Sequence, residues 1–203
     1  MTISHRDKFR ESELEPSMIS FSSGIQTNWH VITGAPCSGK TTLISQLAKQ
    51  GHYTVEEIGR KYIARELAKG RTLEELRSDE SVFQHTLLDL RIKQELGLDP
   101  VRHSFLDRGL PDSLTFYRAN GLNPNEILKE CQHFRYASIF LLDRLPLQSN
   151  GVRAEDDAKL QFIDEWLYRD YSALGYEVAR VPVFPIAQRL SYILERPPEQ
   201  GSA

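Results

Sequence analysis

Nine residues, Gly34-Ala35-Pro36-Cys37-Ser38-Gly39-Lys40-Thr41-Thr42, constrain the fold of this 203-residue chain more than any other stretch. They satisfy the pattern G-x-x-x-x-G-K-[ST]. An apolar run, Trp29 to Thr33, comes directly before them. After them, Leu43, Ile44, Leu47 and Ala48 fall on one face of a helical pattern over 39–50 that stops at Gly51. Strand, glycine-rich turn and helix in that order form a phosphate cradle. The glycines let the backbone curl, successive N–H groups and the helix N-terminus present positive partial charge, and Lys40 adds a point charge. The Thr41 hydroxyl is suited to Mg²⁺. Gly34 through Thr42 are therefore expected to bind the phosphates of a nucleotide, with Cys37 at a variable position. A glycine-rich turn that matches by chance lacks this context.

Beyond the loop, strand-like apolar runs alternate with longer helical patterns, the signature of a parallel sheet wrapped by helices. Strands are expected at 29–33, 53–56, 103–107, 138–143 and 176–182. Helices are expected at 39–50, from Ile58 through Leu67, at 79–96 with Phe83, Leu87, Leu90 and Gln94 on one face, at 111–120, 124–134, 154–174 and 186–195. The predicted class is a three-layer α/β P-loop (Rossmann-like) fold with a five-stranded, mostly parallel sheet and a lid segment. Residues 1–27 are polar and read as a flexible extension, 28–196 as one domain and 197–203 as a flexible tail. No internal repeat is evident.

Composition removes several classes of function. Lys and Arg number 25 against 28 Asp and Glu, a formal charge of -3, so no bulk attraction to nucleic acid is expected. Cys37 and Cys131 are far apart and fit neither a zinc site nor a disulfide framework, and the six histidines show no metal spacing. No apolar run of about 18 residues exists, and the first residues carry charges where a signal peptide needs an apolar stretch. A cytoplasmic protein with no membrane span is expected.

What lies at the carboxyl ends of the other strands suggests the chemistry. No [NT]-K-x-D base-reading motif of guanine-specific GTPases occurs, so a translational or signalling GTPase is not expected. Hydrolytic ATPases commonly follow the strand-end Asp with a water-activating Glu. Here the strands end in Asp107-Arg108 and Asp143-Arg144, which favours an acceptor other than water. Asp107 is the first candidate for Mg²⁺ and Asp143 the second. Arg108 suits a phosphoryl oxygen or substrate, although a strand-end salt bridge would also explain it. Glu57, with Glu56 beside it, ends the second strand and is placed to take the proton of an attacking hydroxyl. Arg60 lies one helical step further on. Helix-dipole preference for acids is the bland alternative for this pair of carboxylates. Asp112 sits where a substrate pocket is expected. Residues 144–153 read as a lid, with Arg153 as the catalytic arginine and Arg144 as its alternative, or as a surface loop pairing with Glu155, Asp156 and Asp157.

The segments GAPCSGKTTLISQL, VEEIGRKYIAREL, FLDRGLPDSLTFYR, GVRAEDD and LGYEVARVP, spread over about residues 29–195, together resemble the NadR-like family of P-loop ATPase/kinase domains. That family lies near the ribosylnicotinamide kinase domain and the nucleoside and nucleotide kinases. The resemblance implies a Rossmann-like P-loop fold with ATP and Mg²⁺ at the GAPCSGKTT loop. Glu57 and Arg60 match the family's E-x-x-R element, and Asp107 and Arg108 its D-R element. It names no phosphate acceptor. Two readings follow. In the first, a small-molecule kinase uses Lys40, Thr41 and Asp107 for ATP–Mg²⁺, Glu57, Arg60, Arg108 and Asp112 for the acceptor, and Arg108 and Arg153 for the transition state. In the second, a nucleotide-dependent binding or regulatory module turns over little.

Overall fold

The computed structural model describes residues 24–146 and 154–196. At its centre is strand β2 (Trp29–Thr33), buried along its whole length. Its flanking partners are β4 (Ser104–Asp107) and β6 (Ser138–Leu142), also buried throughout. β3 (Thr54–Val55) and β7 (Val178–Val181) form the two edges. The order is β3-β4-β2-β6-β7, and every pairing is parallel. Strands buried on both faces read as unbroken apolar runs, which is why SFLD and SIFLL were legible.

Side-chain alternation divides the core in two. Trp29 and Val31 of β2, Leu106, Ile139 and Leu141 join one cluster. It is completed by α5 (Asp112–Ala119) and α6 (Ala154–Ala173) through Leu114, Tyr117, Leu167 and Tyr171. Ile32, Phe105, Phe140 and Leu142 point the other way. They meet Leu43, Ile44 and Leu47 of α1 (Lys40–Lys49) and Leu190 and Ile193 of α7 (Ile186–Leu194). Leu43 and Leu47 are fully buried, each contributing about 1.5–3 kcal/mol of transfer free energy. The architecture is thus the expected three-layer α/β fold, with a sheet that is parallel throughout. Helix α2 (Ile58–Ala68), the single turn α3 (Leu73–Leu76) and α4 (Glu80–Leu96) complete the layer on the β3 side.

Five details differ from the expectations. Ile25–Gln26, placed in the polar extension, forms β1 and pairs with β5 (Phe134–Arg135) as a small parallel ribbon outside the main sheet. Residues 124–134, expected as one helix, form two 3₁₀ turns, Pro124–Ile127 and Glu130–Gln132, before β5. The apolar steps Ile127, Cys131 and Phe134, four and then three residues apart, fit a helical period, but Phe134 is taken up by β5 in its pairing with β1. Only Thr54 and Val55 of the second expected strand pair with β4. The buried face of α4 carries Phe83, Gln84, Leu88, Arg91 and Glu95 rather than the expected line of Phe83, Leu87, Leu90 and Gln94, because its two buried charges find polar partners inside. The α3 turn was not expected, yet Thr72 and Glu75 form a capping box whose T-x-x-E signature is readable. Among the described residues no helix is long and apolar enough to cross a membrane.

Candidate active site

Register brings the chemistry to one edge. Ile32 of β2 is opposite Asp107 of β4, and Thr33 is opposite Leu141 of β6, so the phosphate loop and the Asp107-Arg108 pair leave the sheet side by side. Two glycines make the loop possible. Gly34 has φ +146° and a Cβ there would meet the Leu142 carbonyl oxygen at 2.8 Å, while Gly39 at φ +89° turns the chain into α1. No side chain caps α1, which leaves its N-terminal N–H groups to face an anion. Pro36, Cys37, Thr41 and Thr42 are exposed, and Ala35 and Ser38 are buried.

Lys40 is 6% exposed. Its Nζ donates to the carbonyl oxygens of Gly34 (2.7 Å) and Ala35 (2.8 Å) and to Ser38 Oγ (3.1 Å). Burial, and then the nearby Arg108 charge, hold its ammonium well below the usual lysine range, while Asp107, Glu57 and Asp112 oppose that shift. An added anion relieves the same penalty, so the loop is electrostatically prepared for phosphate. Arg189 of α7, which sequence reasoning missed, braces the loop from outside. Its Nη1 donates to the Ser38 carbonyl oxygen at 2.7 Å and its Nε to that of Pro182 at 3.0 Å. Nothing in the helical pattern of 186–195 set this arginine apart.

Arg108 is salt-bridged at the strand end, as the alternative reading of the sequence held, through Glu57 and Asp112 rather than through Asp107. Arg108, buried and left-handed at φ +73°, donates from Nε to Glu57 Oε1 (3.1 Å) and from Nη1 to Asp112 Oδ1 (2.8 Å). A non-glycine residue in that region costs about 1–3 kcal/mol unless its surroundings hold it. Here Asp112 holds it. Its Oδ1 also accepts from Thr33 Oγ1 (2.6 Å), and its Oδ2 accepts from the Gly109 N–H (3.1 Å) and the Tyr171 hydroxyl (2.6 Å). Burial pushes the Asp112 carboxyl up, but the Arg108 and Arg91 charges and these hydrogen bonds outweigh it and leave the pKa below its usual value.

Asp112 was expected to contact substrate, and this is corrected. It has no exposed surface and both oxygens are occupied, so it acts as the clamp that ties the end of β2, Arg108 and α6 together. Thr33 and Tyr171 in that clamp were not foreseen, because both read as ordinary strand-end and helix-core residues.

Glu57 sits at the N-cap of α2, partly exposed, with Arg60 Nη2 3.7 Å from its other oxygen. Asp107 is 7% exposed and its Oδ1 has no hydrogen-bond partner. Burial first, and the Glu57 charge second, raise its pKa. It lines a cleft of about 280 Å³ together with Thr41, Glu56, Glu57 and Arg60. A hard cation with a few protein oxygens and bound phosphates is what such a cleft suits, so the orphaned carboxylate oxygen beside Thr41 fits Mg²⁺. Asp143, the second candidate, instead accepts from Arg180 Nε at 2.7 Å. Arg144 is ion-paired with Asp157, as the surface-loop alternative held. Arg153 lies outside the described residues.

Glu57 and Arg60 also border a larger cavity of about 600 Å³, which reaches Pro36 of the phosphate loop at one side and Phe83, Phe116 and Ile163 at another. The two cavities thus share Glu57 and Arg60.

A phosphate loop between the central strand and its helix, with an acidic strand end beside it, defines a P-loop nucleotide-binding protein. The chain belongs to the family described as AAA domain, whose model matches residues 29–189. No curated protein matches the sequence. Among solved structures, the thymidylate kinase of Ehrlichia chaffeensis is 14% identical, with TM-score 0.58, over 85% of this chain and 98% of that one. Deoxyadenosine kinase from M. mycoides, with products dCMP and dCDP bound, is 15% identical with TM-score 0.57, over 82% of this chain and 96% of the other. The NadR protein in complex with NR is 16% identical with TM-score 0.60, over 87% of this chain but only 52% of its own. The NadR-like resemblance read from the sequence agrees with this set, and at these identities the shared property is the fold.

Proposed function

We propose that the protein is a small-molecule kinase that transfers the γ-phosphoryl group of ATP to a hydroxyl of a nucleoside-like or other small metabolite. The observation that carries this reading is the chamber of about 600 Å³ meeting the phosphate cleft at Glu57. A hydrolase needs only water there. The kinase folds of the thymidylate, deoxyadenosine and NadR proteins support the same class.

In this mechanism the loop N–H groups and Lys40 hold the β- and γ-phosphates, with Lys40 leaving the Gly34 and Ala35 carbonyls for phosphate oxygen. Thr41 and Asp107 would hold Mg²⁺, which supplies charge neutralisation when bound. Glu57 orients the acceptor hydroxyl and takes its proton, and Arg60 steadies it. Arg108, fixed between Glu57 and Asp112, faces charge that builds on the transferring group. Arg153 is proposed to add a second guanidinium from the segment before α6.

Incubation with ATP, Mg²⁺ and pooled nucleosides, nucleotides and vitamin precursors, read by mass spectrometry, tests the assignment beside Lys40→Ala. A phosphorylated product that disappears in a folded Lys40→Ala protein supports the kinase. Tight nucleotide binding without product or ADP supports the regulatory module, and an active Lys40→Ala protein removes both.

A further inference from the structure

Phosphoryl transfer leaves one wall of the acceptor chamber unexplained. Arg91 of α4 lines the chamber yet is only 5% exposed. Its guanidinium makes one hydrogen bond, from Nη1 to Ser113 Oγ at 2.6 Å, and no ion pair with a carboxylate among the described residues. Arg108 offers the contrast, equally buried but held by two carboxylates at 2.8 and 3.1 Å. The acids nearest to Arg91 in charge are already occupied. Glu95 accepts from the Leu110 N–H (3.0 Å) and the Tyr136 hydroxyl (2.8 Å), and Asp112 is saturated as described. A buried cation without a counter-ion is costly, and five N–H donors in a planar fork match a carboxylate or phosphate.

The rest of the chamber has the same sign. Arg60, Arg77 and Lys159 join Arg91 in lining it, against the single carboxylate of Glu57, whose Oε1 already accepts from Arg108. Arg77 is neutralised by Glu80 through two hydrogen bonds of 3.0 Å. Among the described residues, the Lys159 ammonium donates to the Asn120 amide oxygen, at 3.4 Å, and has no ion pair with a carboxylate. Phe83, Leu87 and Phe116 supply apolar surface between these charges.

We propose that the acceptor is an anion, with an apolar or ring-bearing body lying against Phe83, Leu87 and Phe116 and a phosphate or carboxylate that pairs with Arg91. This rests on the kinase reading for the word acceptor, but its binding chemistry stands on the chamber alone. A neutral nucleoside leaves Arg91 with no anion hydrogen-bonded to its guanidinium, and a cationic one adds repulsion. Charge on the ligand is therefore a determinant of specificity, set by a residue that touches neither ATP nor the phosphate loop.

Paired ligands differing only in charge test this by calorimetry on the full chain, with MgADP saturating the phosphate loop so that anions cannot bind there. Adenosine against AMP and uridine against UMP form the phosphate arm. 1,4-Benzenedimethanol against 4-(hydroxymethyl)benzoate forms the carboxylate arm. In at least one pair the anion is expected to bind about tenfold or more tightly than its neutral parent, the factor a charge-assisted hydrogen bond supplies. Arg91→Gln should collapse that ratio towards one and Arg91→Lys should retain part of it. Lys159→Ala, at an exposed position, should lower it by a smaller factor and serves if Arg91→Gln fails to fold. Equal or tighter binding of the neutral parents, an anion preference that survives Arg91→Gln, or no binding in any pair overturns the proposal. Because no ATP is turned over, these outcomes are separate from those of the Lys40→Ala product assay.

Discussion

Replacing Asp112 with Asn tests whether this carboxylate is the clamp of the site. Each oxygen of Asp112 accepts from two donors, Thr33 and Arg108 on one and Gly109 and Tyr171 on the other. An amide keeps one oxygen, so in either orientation its NH₂ faces two donors and both hydrogen bonds are lost. The buried Arg108 guanidinium is then left with Glu57 alone. Breaking a buried pair by removing one partner costs about 3–5 kcal/mol, a large part of the roughly 5–15 kcal/mol available to a domain. For a chain of this size that is a fall in Tm of about 6–20 °C. Tyr171→Phe removes one donor and leaves the charge, and should cost about 1.5–3 kcal/mol. Because the substituted amide no longer offers Tyr171 a carboxylate, the double variant should cost less than the sum of the singles. Urea unfolding followed by circular dichroism at neutral pH measures all three. If Asp112→Asn shifts stability by less than about 1 kcal/mol, the carboxylate is not the clamp and the energetic argument from its four donors fails.

Other predictions concern the supporting core. Glu95 is buried, and burial raises its pKa to about 7, against the opposing hydrogen bond from Tyr136. A raised carboxyl binds its proton in the folded state first, so stability falls as pH rises from the unfolded value towards about 7, and about 3 kcal/mol is lost in all. His30 has the opposite sign, its pKa lowered to about 4 by burial and His103, so the wild-type profile alone is not diagnostic. The stability difference between wild type and Glu95→Gln should change by about 3 kcal/mol between pH 4.5 and pH 8, in favour of Gln at the higher pH; a flat difference in urea midpoints means that Glu95 is not held protonated. At Gly109 a Cβ would lie 2.9 Å from the Tyr171 hydroxyl and 3.0 Å from that of Tyr136. Gly109→Ala should therefore destabilise by about 1–3 kcal/mol through overpacking, and thermal melting with no loss would show that both tyrosines move aside freely.

The sequence was most readable where one local rule decides the structure. The phosphate loop, the unbroken apolar runs of β2, β4 and β6 and the glycine stops of the helices each follow from spacing alone, and the structure has them within a few residues. The placement of Asp107-Arg108 beside the phosphate loop was legible for the same reason, since strand ends in a parallel sheet share one side. What spacing does not carry is which polar residue turns inward. Arg91 lies on a helix whose apolar residues explain its face and does not stand out, and Asp112 drew notice only for its place after Asp107-Arg108, not for the clamp that forms when α5 and α6 pack together. Their different roles are also a tertiary property. Asp112 meets four donors and becomes structural, whereas Arg91 meets one serine and remains chemically open, though both are almost wholly buried. A motif-based reading assigns substrate contacts to residues near the motif in sequence. The chamber instead draws on α2, α4, α5 and α6 at once, so in the proposed kinase acceptor specificity is written in contacts between helices, while phosphate binding is written in consecutive residues.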